Sequence, residues 1–389
     1  MSAPRGVYLD YAATTPVAPE VAARMAECLT REGVFGNPGS TSHDYGEAAS
    51  ELTEAARAQV AAAVGAEPGE VIWTSGATEA DNLAIFGTAH YYRDAGRHIV
   101  TVRTEHKAVL DPCRELERRG WRVTYLTPDR DGMLDPQQVA AALRPDTVLV
   151  SIMHVNNETG VIQDIAAIAL LCAQAGGARL HVDAAQSVGK CTVNFAALGI
   201  DLMSLSAHKT YGPKGTGALV VSRRRGAQLQ PLLCGGGQER GLRSGTVATH
   251  QVVGMGAAFA LASAGLQDET ERIARLQNRL WHGLAPLGGV LRNGGARSVP
   301  HLLNVSFEGV EGESLLAAIR LHIAVSTGSA CTSVTQEPSY VLRALGRGDR
   351  LAESSLRFSL GRYSSESDVD TAVAVVGRAV ERLRRIAGS

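Results

Sequence analysis

The chain of 389 residues carries 38 Lys and Arg against 39 Asp and Glu, a net charge of −1, and is 45% hydrophobic and 20% charged. That length exceeds what a single hydrophobic core serves, so roughly two domains are expected. The balanced charge, with no long block of one sign, excludes broad electrostatic binding to nucleic acid or to an anionic membrane.

Met1-Ser-Ala-Pro-Arg-Gly-Val-Tyr-Leu-Asp10 has neither an apolar signal core nor an Arg/Ser-rich presequence. No run approaches the ~18 uninterrupted apolar residues of a membrane span, and a cytoplasmic location is expected. The six cysteines, Cys28, Cys113, Cys172, Cys191, Cys234 and Cys331, lie far apart with no C-x-x-C pair. They are read as free thiols.

Taken in chain order, short β-branched runs alternate with helical stretches. Runs at 71–74, 98–102, 122–126, 147–153, 178–182, 202–205 and 217–221 are expected strands. Helices are expected over 107–119, 135–143 and 164–175. Continuous apolar strands between helices indicate an α/β fold with a mainly parallel sheet covered on both faces. From about residue 248 a long apolar helix leads into a smaller α+β unit. Its expected elements are a helix at 268–284, a strand at 301–307, a helix at 312–320, a strand at 354–360 and a final helix from Ser367. The expected division is a large domain at 15–260 and a small domain formed by 1–14 and 261–389.

Such sheets place ligands at the carboxyl ends of their strands, and the residues of chemical interest fall there. Gly76-Ala-Thr78 follows the first run and Asn157 the fourth. Asp183 ends the fifth, and Ser206-Ala-His-Lys209 follows the sixth. An acid and a lysine on successive strand ends are what pyridoxal 5'-phosphate (PLP) chemistry needs. The lysine forms a Schiff base with the aldehyde, and the carboxylate keeps the pyridine nitrogen protonated. Only four lysines compete for the role: Lys107, Lys190, Lys209 and Lys214. A surface lysine and an N-capping aspartate are the plain alternative for the pair alone.

Thr74-Ser-Gly-Ala-Thr-Glu79, between a strand and a helix, offers backbone N–H groups and a hydroxyl to a phosphate. An ordinary capped turn would look the same. Gly212-Pro-Lys-Gly-Thr-Gly217 lacks the order of a nucleotide phosphate loop and is read as a turn positioning Lys209. Asp129-Arg-Asp-Gly-Met-Leu-Asp135 departs from a calcium loop at its glycine and at its closing acid, and is also read as a turn. His106, just past a strand end, could stack on a planar cofactor and move protons, or be structural. No cluster suggests a resident metal site. Cys331 lies in the small, polar run Val325-Ser-Thr-Gly-Ser-Ala-Cys-Thr-Ser333, a context of accessible rather than core cysteine that suits a nucleophile, or of an incidental loop cysteine.

Together these segments resemble the cysteine desulfurases, the NifS/IscS-like group of the class V aminotransferase superfamily, in the branch with a long cysteine loop. The resemblance spans Tyr8-Leu-Asp-Tyr-Ala-Ala-Thr-Thr-Pro16 to Arg357-Phe-Ser-Leu-Gly-Arg362. It includes Ser75-Gly-Ala-Thr-Glu79, Met153-His-Val-Asn-Asn-Glu158 and Gly235-Gly-Gly-Gln-Glu-Arg-Gly-Leu-Arg-Ser-Gly-Thr246. It implies the fold type I architecture of PLP-dependent transferases and a homodimer. L-cysteine would be converted to L-alanine with a persulfide left on Cys331. The sulfur would pass to an iron–sulfur scaffold protein or another acceptor, including tRNA thiolation.

Residue by residue, the resemblance implies that Lys209 binds the cofactor aldehyde, Asp183 pairs with the pyridinium and Gln186 hydrogen-bonds the ring hydroxyl. His106 stacks on the ring and assists proton transfer. Ala77, Thr78, Ser206, Ala207 and His208 surround the phosphate, joined by Thr246 from the partner subunit. Asn157 lies beside cofactor and substrate, and Arg357 clamps the substrate carboxylate. The resemblance allows Cys331 a transient role as iron–sulfur ligand. Ala207 stands where glycine is common, and Cys234 where histidine is often found. The chain ends at Ser389, where relatives carry a scaffold-docking tail, a departure that bears on partner recognition more than on chemistry. A class V aminotransferase or a selenocysteine lyase is the alternative enzyme, and a sulfur-carrier hub with a structural PLP site the alternative of another kind.

Overall fold

A computed structural model of the protein describes residues 6–327 and 337–388. Cys331 and its expected role lie outside the described residues. In chain order the elements are β1 (Val7–Tyr8), α1 (Pro19–Ala26), α2 (Asp44–Val64), β2 (Val71–Thr74), α3 (Ala77–Tyr92), β3 (His98–Val102), α4 (Lys107–Arg118) and β4 (Arg122–Leu126). There follow α5 (Pro136–Ala142), β5 (Thr147–Ser151), α6 (Ile165–Gln174), β6 (Arg179–Asp183), β7 (Leu202–Ser206), β8 (Gly217–Val221), α7 (Thr249–Ala264), α8 (Leu266–Leu284) and β9 (Val290–Asn293). The chain continues through β10 (Leu302–Phe307), α9 (Gly312–Ile319), β11 (Ile323–Ala324), β12 (Ser326–Thr327), α10 (Tyr340–Ala344), α11 (Asp349–Glu353), β13 (Ser355–Ser359) and α12 (Glu366–Ala387).

Seven strands form the large sheet in the order β2-β8-β7-β6-β5-β3-β4. Only β8 runs against its neighbours, so the carboxyl ends of the other six share one edge. Helices cover both faces. Val60, Val100, Val150, Phe195, Met203 and Phe259 pack in a core that takes in residues of α2, α6 and α7. On the other face Ile72, Leu83, Ile99, Leu149 and Leu219 pack with residues of α3 and α4. This two-sided burial is why the strands read as uninterrupted apolar runs rather than alternating ones.

The smaller unit is built on an antiparallel sheet of order β12-β13-β10-β9. Leu280 of α8, Phe307, Leu315 of α9, Phe358 and Val376 of α12 share its core. Leu9, fully buried, belongs to the same core, and β1 pairs with β11. The N-terminal segment therefore begins in this unit before crossing to the large sheet. α12 begins at Glu366, one residue before the expected start. Ser365 Oγ accepts from Asp368 N at 3.2 Å while Asp368 Oδ2 accepts from Ser365 N at 2.9 Å, a reciprocal cap that fixes the boundary.

The expected strand 147–153 is shorter in the structure and ends at Ser151. Past that point Met153 N donates to Glu105 Oε1 at 2.8 Å and His154 N to the Asp183 carbonyl at 2.9 Å. The Glu105 side chain thus draws the chain out of the ladder and turns it toward the carboxyl edge. The 129–135 segment is the expected turn, with Asp129 Oδ1 accepting from Asp131 N and Met133 N, both at 2.9 Å.

Candidate active site

The carboxyl edge is where the sequence-marked residues gather. Asp183 is the last residue of β6 and Ser206 the last of β7. Ala77 and Thr78 open α3, Asn157 lies in the loop after β5, and His106 caps the start of α4. The register brings the first and last of these loops together, since Gly217 faces Thr74 on one side and Ser206 on the other. A Cβ on Gly217 would lie 2.4 Å from the Leu205 carbonyl oxygen and 2.7 Å from Gly76 Cα, so only glycine admits this approach. Gly76 itself, at φ 153°, holds a backbone conformation that side chains oppose. The result is a helix N-terminus set against the end of β7.

Lys209 lies in a turn held by the N-terminal segment. Thr15 N and Thr15 Oγ1 both donate to the His208 carbonyl, at 2.8 and 3.0 Å, and Thr15 Oγ1 accepts from Tyr211 N at 2.8 Å. Tyr211 sits at φ 59°, a left-handed conformation that these bonds hold in place. His208 Nδ1 meets Thr14 Oγ1 at 3.1 Å. Burial and the Lys209 charge push His208 down to about 4, so its ring is neutral. Ala207 is fully buried and its N–H goes to the Thr216 carbonyl at 3.3 Å, so here it packs beneath the turn.

His106, Lys209 and Asp183 form one electrostatic neighbourhood. Burial first and the Lys209 charge second hold His106 below its ordinary value, with Asp183 opposing. His106 Nδ1 accepts from Ala108 N at 3.1 Å, which assigns the ring proton to Nε2. An open groove of about 500 Å³ is lined by Thr78, Asn82 and His106. Asp183 Oδ1 accepts from Ala185 N at 2.9 Å.

Two further buried acids surround Asp183. Glu105, fully buried, is raised well above the carboxylate range by burial, against the Met153 N–H bond. Asp81 is raised by burial and then by the Asp183 charge. His181, two residues before Asp183 on the same strand face, bridges Ser151 Oγ at 2.8 Å and Ser204 Oγ at 2.9 Å, with Asp81 Oδ1 at 3.5 Å.

Arg357, on β13, reaches the edge from the smaller unit and is only 3% exposed. Its Nη1 donates to the Asn157 carbonyl at 2.8 Å and its Nη2 to Asp10 Oδ1 at 2.9 Å and Ser326 Oγ at 3.1 Å. Glu158 accepts from Ser339 Oγ at 2.5 Å, and burial pushes it up to about 7. Gln186 is 3% exposed, its Nε2 donating to the Ala12 carbonyl at 2.8 Å and its Oε1 accepting from Lys190 Nζ. Thr246 is exposed.

The edge has unused polar capacity. Ser206 Oγ, Asn157 Oδ1 and Arg357 Nε are buried with no hydrogen-bond partner among the described residues. Each such group costs about 1–3 kcal/mol until something pairs with it. A ligand with anionic oxygens and a polar ring fits these groups, the α3 N-terminus and the Lys209–Asp183 pair.

The aminotransferase class V family model matches residues 7–372. The cysteine desulfurase IscS of Azotobacter vinelandii is 57% identical over 381 residues, covering 98% of this chain and 94% of that protein. The chain belongs to the cysteine desulfurases of the class V aminotransferase family. Among solved structures, a NifS-like protein is 34% identical with a TM-score of 0.91, over 97% of this chain and 100% of that one. A structure described as SspA in complex with cysteine is 38% identical with a TM-score of 0.81, over 92% and 100%.

Sequence reasoning missed several residues of this desulfurase edge. His181 could have been found, because a period of two places it on the Asp183 face. Asp10, Glu105, Glu158 and Lys190 carried no local signal, since their places depend on partners from other elements.

Proposed function

We propose that the protein takes PLP at the carboxyl edge of the large sheet and moves the sulfur of L-cysteine onto Cys331, releasing L-alanine. The proposal extends to delivery of that sulfur to an iron–sulfur scaffold or another acceptor, by a cytoplasmic homodimer divided into 15–260 and 1–14 plus 261–389. The observation that carries it is the convergence of Lys209, Asp183 and His106, three chemically matched groups from three separate segments at the sheet's carboxyl edge, in one electrostatic neighbourhood. The relative solved with cysteine supports the choice of substrate. No helix among the described residues is long and apolar enough to cross a membrane.

Bound PLP supplies an electron sink, which makes the α-proton of an attached amino acid acidic and lets the carbon fragment accept the electrons of the broken carbon–sulfur bond. Lys209 would hold the cofactor by its aldehyde and present it to the substrate amine. Asp183 would keep the ring nitrogen protonated, while burial raises both Asp81 and Glu105 and so weakens their competition as charged groups. Ala77, Thr78, Ser206, Ala207 and His208 would hold the phosphate, with Thr246 supplied by the partner subunit. The Ser206 hydroxyl has no other partner among the described residues.

Asn157 Oδ1 and the Arg357 guanidinium would receive the polar groups of the substrate, its carboxylate displacing Asp10 from Arg357 Nη2. His106 stays neutral with its proton on Nε2. Taking a proton at Nδ1 would break its bond to Ala108 N. The Cys331 thiolate attacks the substrate sulfur, the carbon–sulfur bond breaks with its electrons going to carbon, and a proton added there completes alanine. The sulfur remains on Cys331 as a persulfide.

Intact-protein mass spectrometry after one turnover tests this reading. A mass gain of one sulfur atom on the native protein, and none on Cys331→Ala, is expected. Sulfur release by Cys331→Ala at the native rate would overturn the assignment of the nucleophile.

A further inference from the structure

Lys190 is a charged side chain that the proposed chemistry leaves without a task. It lies in the segment following β6, 6% exposed, and its Nζ donates to Gln186 Oε1. That hydrogen bond is to a neutral amide, not to a carboxylate. Burying an ammonium group without a counter-ion costs several kcal/mol, so a lysine here is a liability unless the charge is used.

The groups that face Lys190 sharpen the question. Lys209 and Arg357 repel its charge. Burial and then Lys209 bring the amine down to about 7. His301 lines the same pocket as Lys190 and Lys209. It is buried, neither ring nitrogen has a hydrogen-bond partner among the described residues, and burial with the Lys190 charge keeps it neutral, down to about 3. Among the described residues lining that pocket, the carboxylate is Glu269, which is paired with Arg362 at 3.0 Å.

The Gln186 amide could in principle sit either way round. The Ala12 carbonyl can only accept a hydrogen bond, so it selects Nε2, and the Lys190 ammonium can only donate, so it selects Oε1. Two partners from different parts of the chain agree on one orientation. That orientation leaves the second Nε2–H to whatever acceptor the site takes, and a charged donor on Oε1 polarises the amide and strengthens that N–H.

We propose that Lys190 is a positioning residue for the cofactor: it locks the Gln186 amide with an N–H available to the ring hydroxyl, and it adds a positive charge beside Lys209. This rests on the PLP reading above but extends it to a residue outside the expected site.

The test is a pH titration of visible absorbance on the cofactor-loaded enzyme, native against Lys190→Met, with cofactor affinity measured by equilibrium dialysis of the apo forms. Removing a cation near Lys209 favours the protonated form there, so the midpoint of the variant is expected to rise by about 1. Cofactor affinity is expected to fall by about tenfold, the loss of one charge-assisted bond. Lys190→Arg keeps the charge and the donor, and its midpoint is expected to stay at the native value. Should Lys190→Met fold poorly, Lys190→Gln serves in its place with the same expectation. A native midpoint and native affinity in the neutral variants, or an equal rise in Lys190→Arg, would overturn the proposal. A native protein that never acquires the absorbance band would instead refute the PLP reading itself.

Discussion

The carboxyl edge of the large sheet and the antiparallel sheet of the smaller unit present their functional groups by opposite means. At the first, each loop is fixed by bonds that a ligand has no reason to disturb. Met153 N is on Glu105, Tyr211 N on Thr15, and Gly217 packs against Gly76. At the second, Arg357 is held by Asp10 and Ser326, side chains that offer it only oxygens, as a substrate carboxylate would. The proposed cofactor cradle is therefore built before anything binds, whereas the proposed carboxylate clamp is satisfied by a stand-in that can be exchanged. Asp10 spares the buried guanidinium the cost of an unpaired charge while the site is empty of substrate.

Two substitutions press on this contrast. The larger effect is expected from Arg357→Lys, which keeps the charge but loses the planar fork. A fall of about 100-fold in kcat/KM, about 3 kcal/mol, is expected, carried mainly by KM because the clamp acts on bound substrate. Steady-state alanine formation measures it, and an unchanged KM would erase the distinction between the two regions. The smaller effect belongs to Thr15→Val, which keeps the shape but strands the Tyr211 N–H beneath the lysine turn. Thermal unfolding of the apo protein should show a loss of about 1–3 kcal/mol. Native stability would mean that the turn is held by something other than the N-terminal segment.

Why some of this was legible beforehand follows from how locally each feature is determined. The strands of the large sheet announce themselves because both faces are buried, and their β-branched runs leave no room for another reading. The runs at 71–74, 98–102, 122–126 and 217–221 match β2, β3, β4 and β8 residue for residue. Asp183 and Ser206 were placed by the same logic, as polar residues where apolar runs stop. The parallel direction of the sheet then put them on one edge.

What escaped is what depends on distant partners. The bond from Tyr211 to Thr15 spans 196 residues, and that from Arg357 to Asp10 spans 347. No window of sequence contains both ends. Glu105 and Glu158 look like ordinary surface acids in the sequence but are buried, and only their partners at Met153 and Ser339 account for that. The end of β5 was misjudged for the same reason, because the group that draws Met153 off the sheet lies 48 positions away.

The central claim is that one lysine of four carries the cofactor. Borohydride reduction of the loaded native enzyme, followed by peptide mass spectrometry, tests it most directly. The phosphopyridoxyl mass is expected on the peptide containing Lys209 and on no other. Its appearance on Lys107, Lys190 or Lys214, with Lys209 unmodified, would contradict the account.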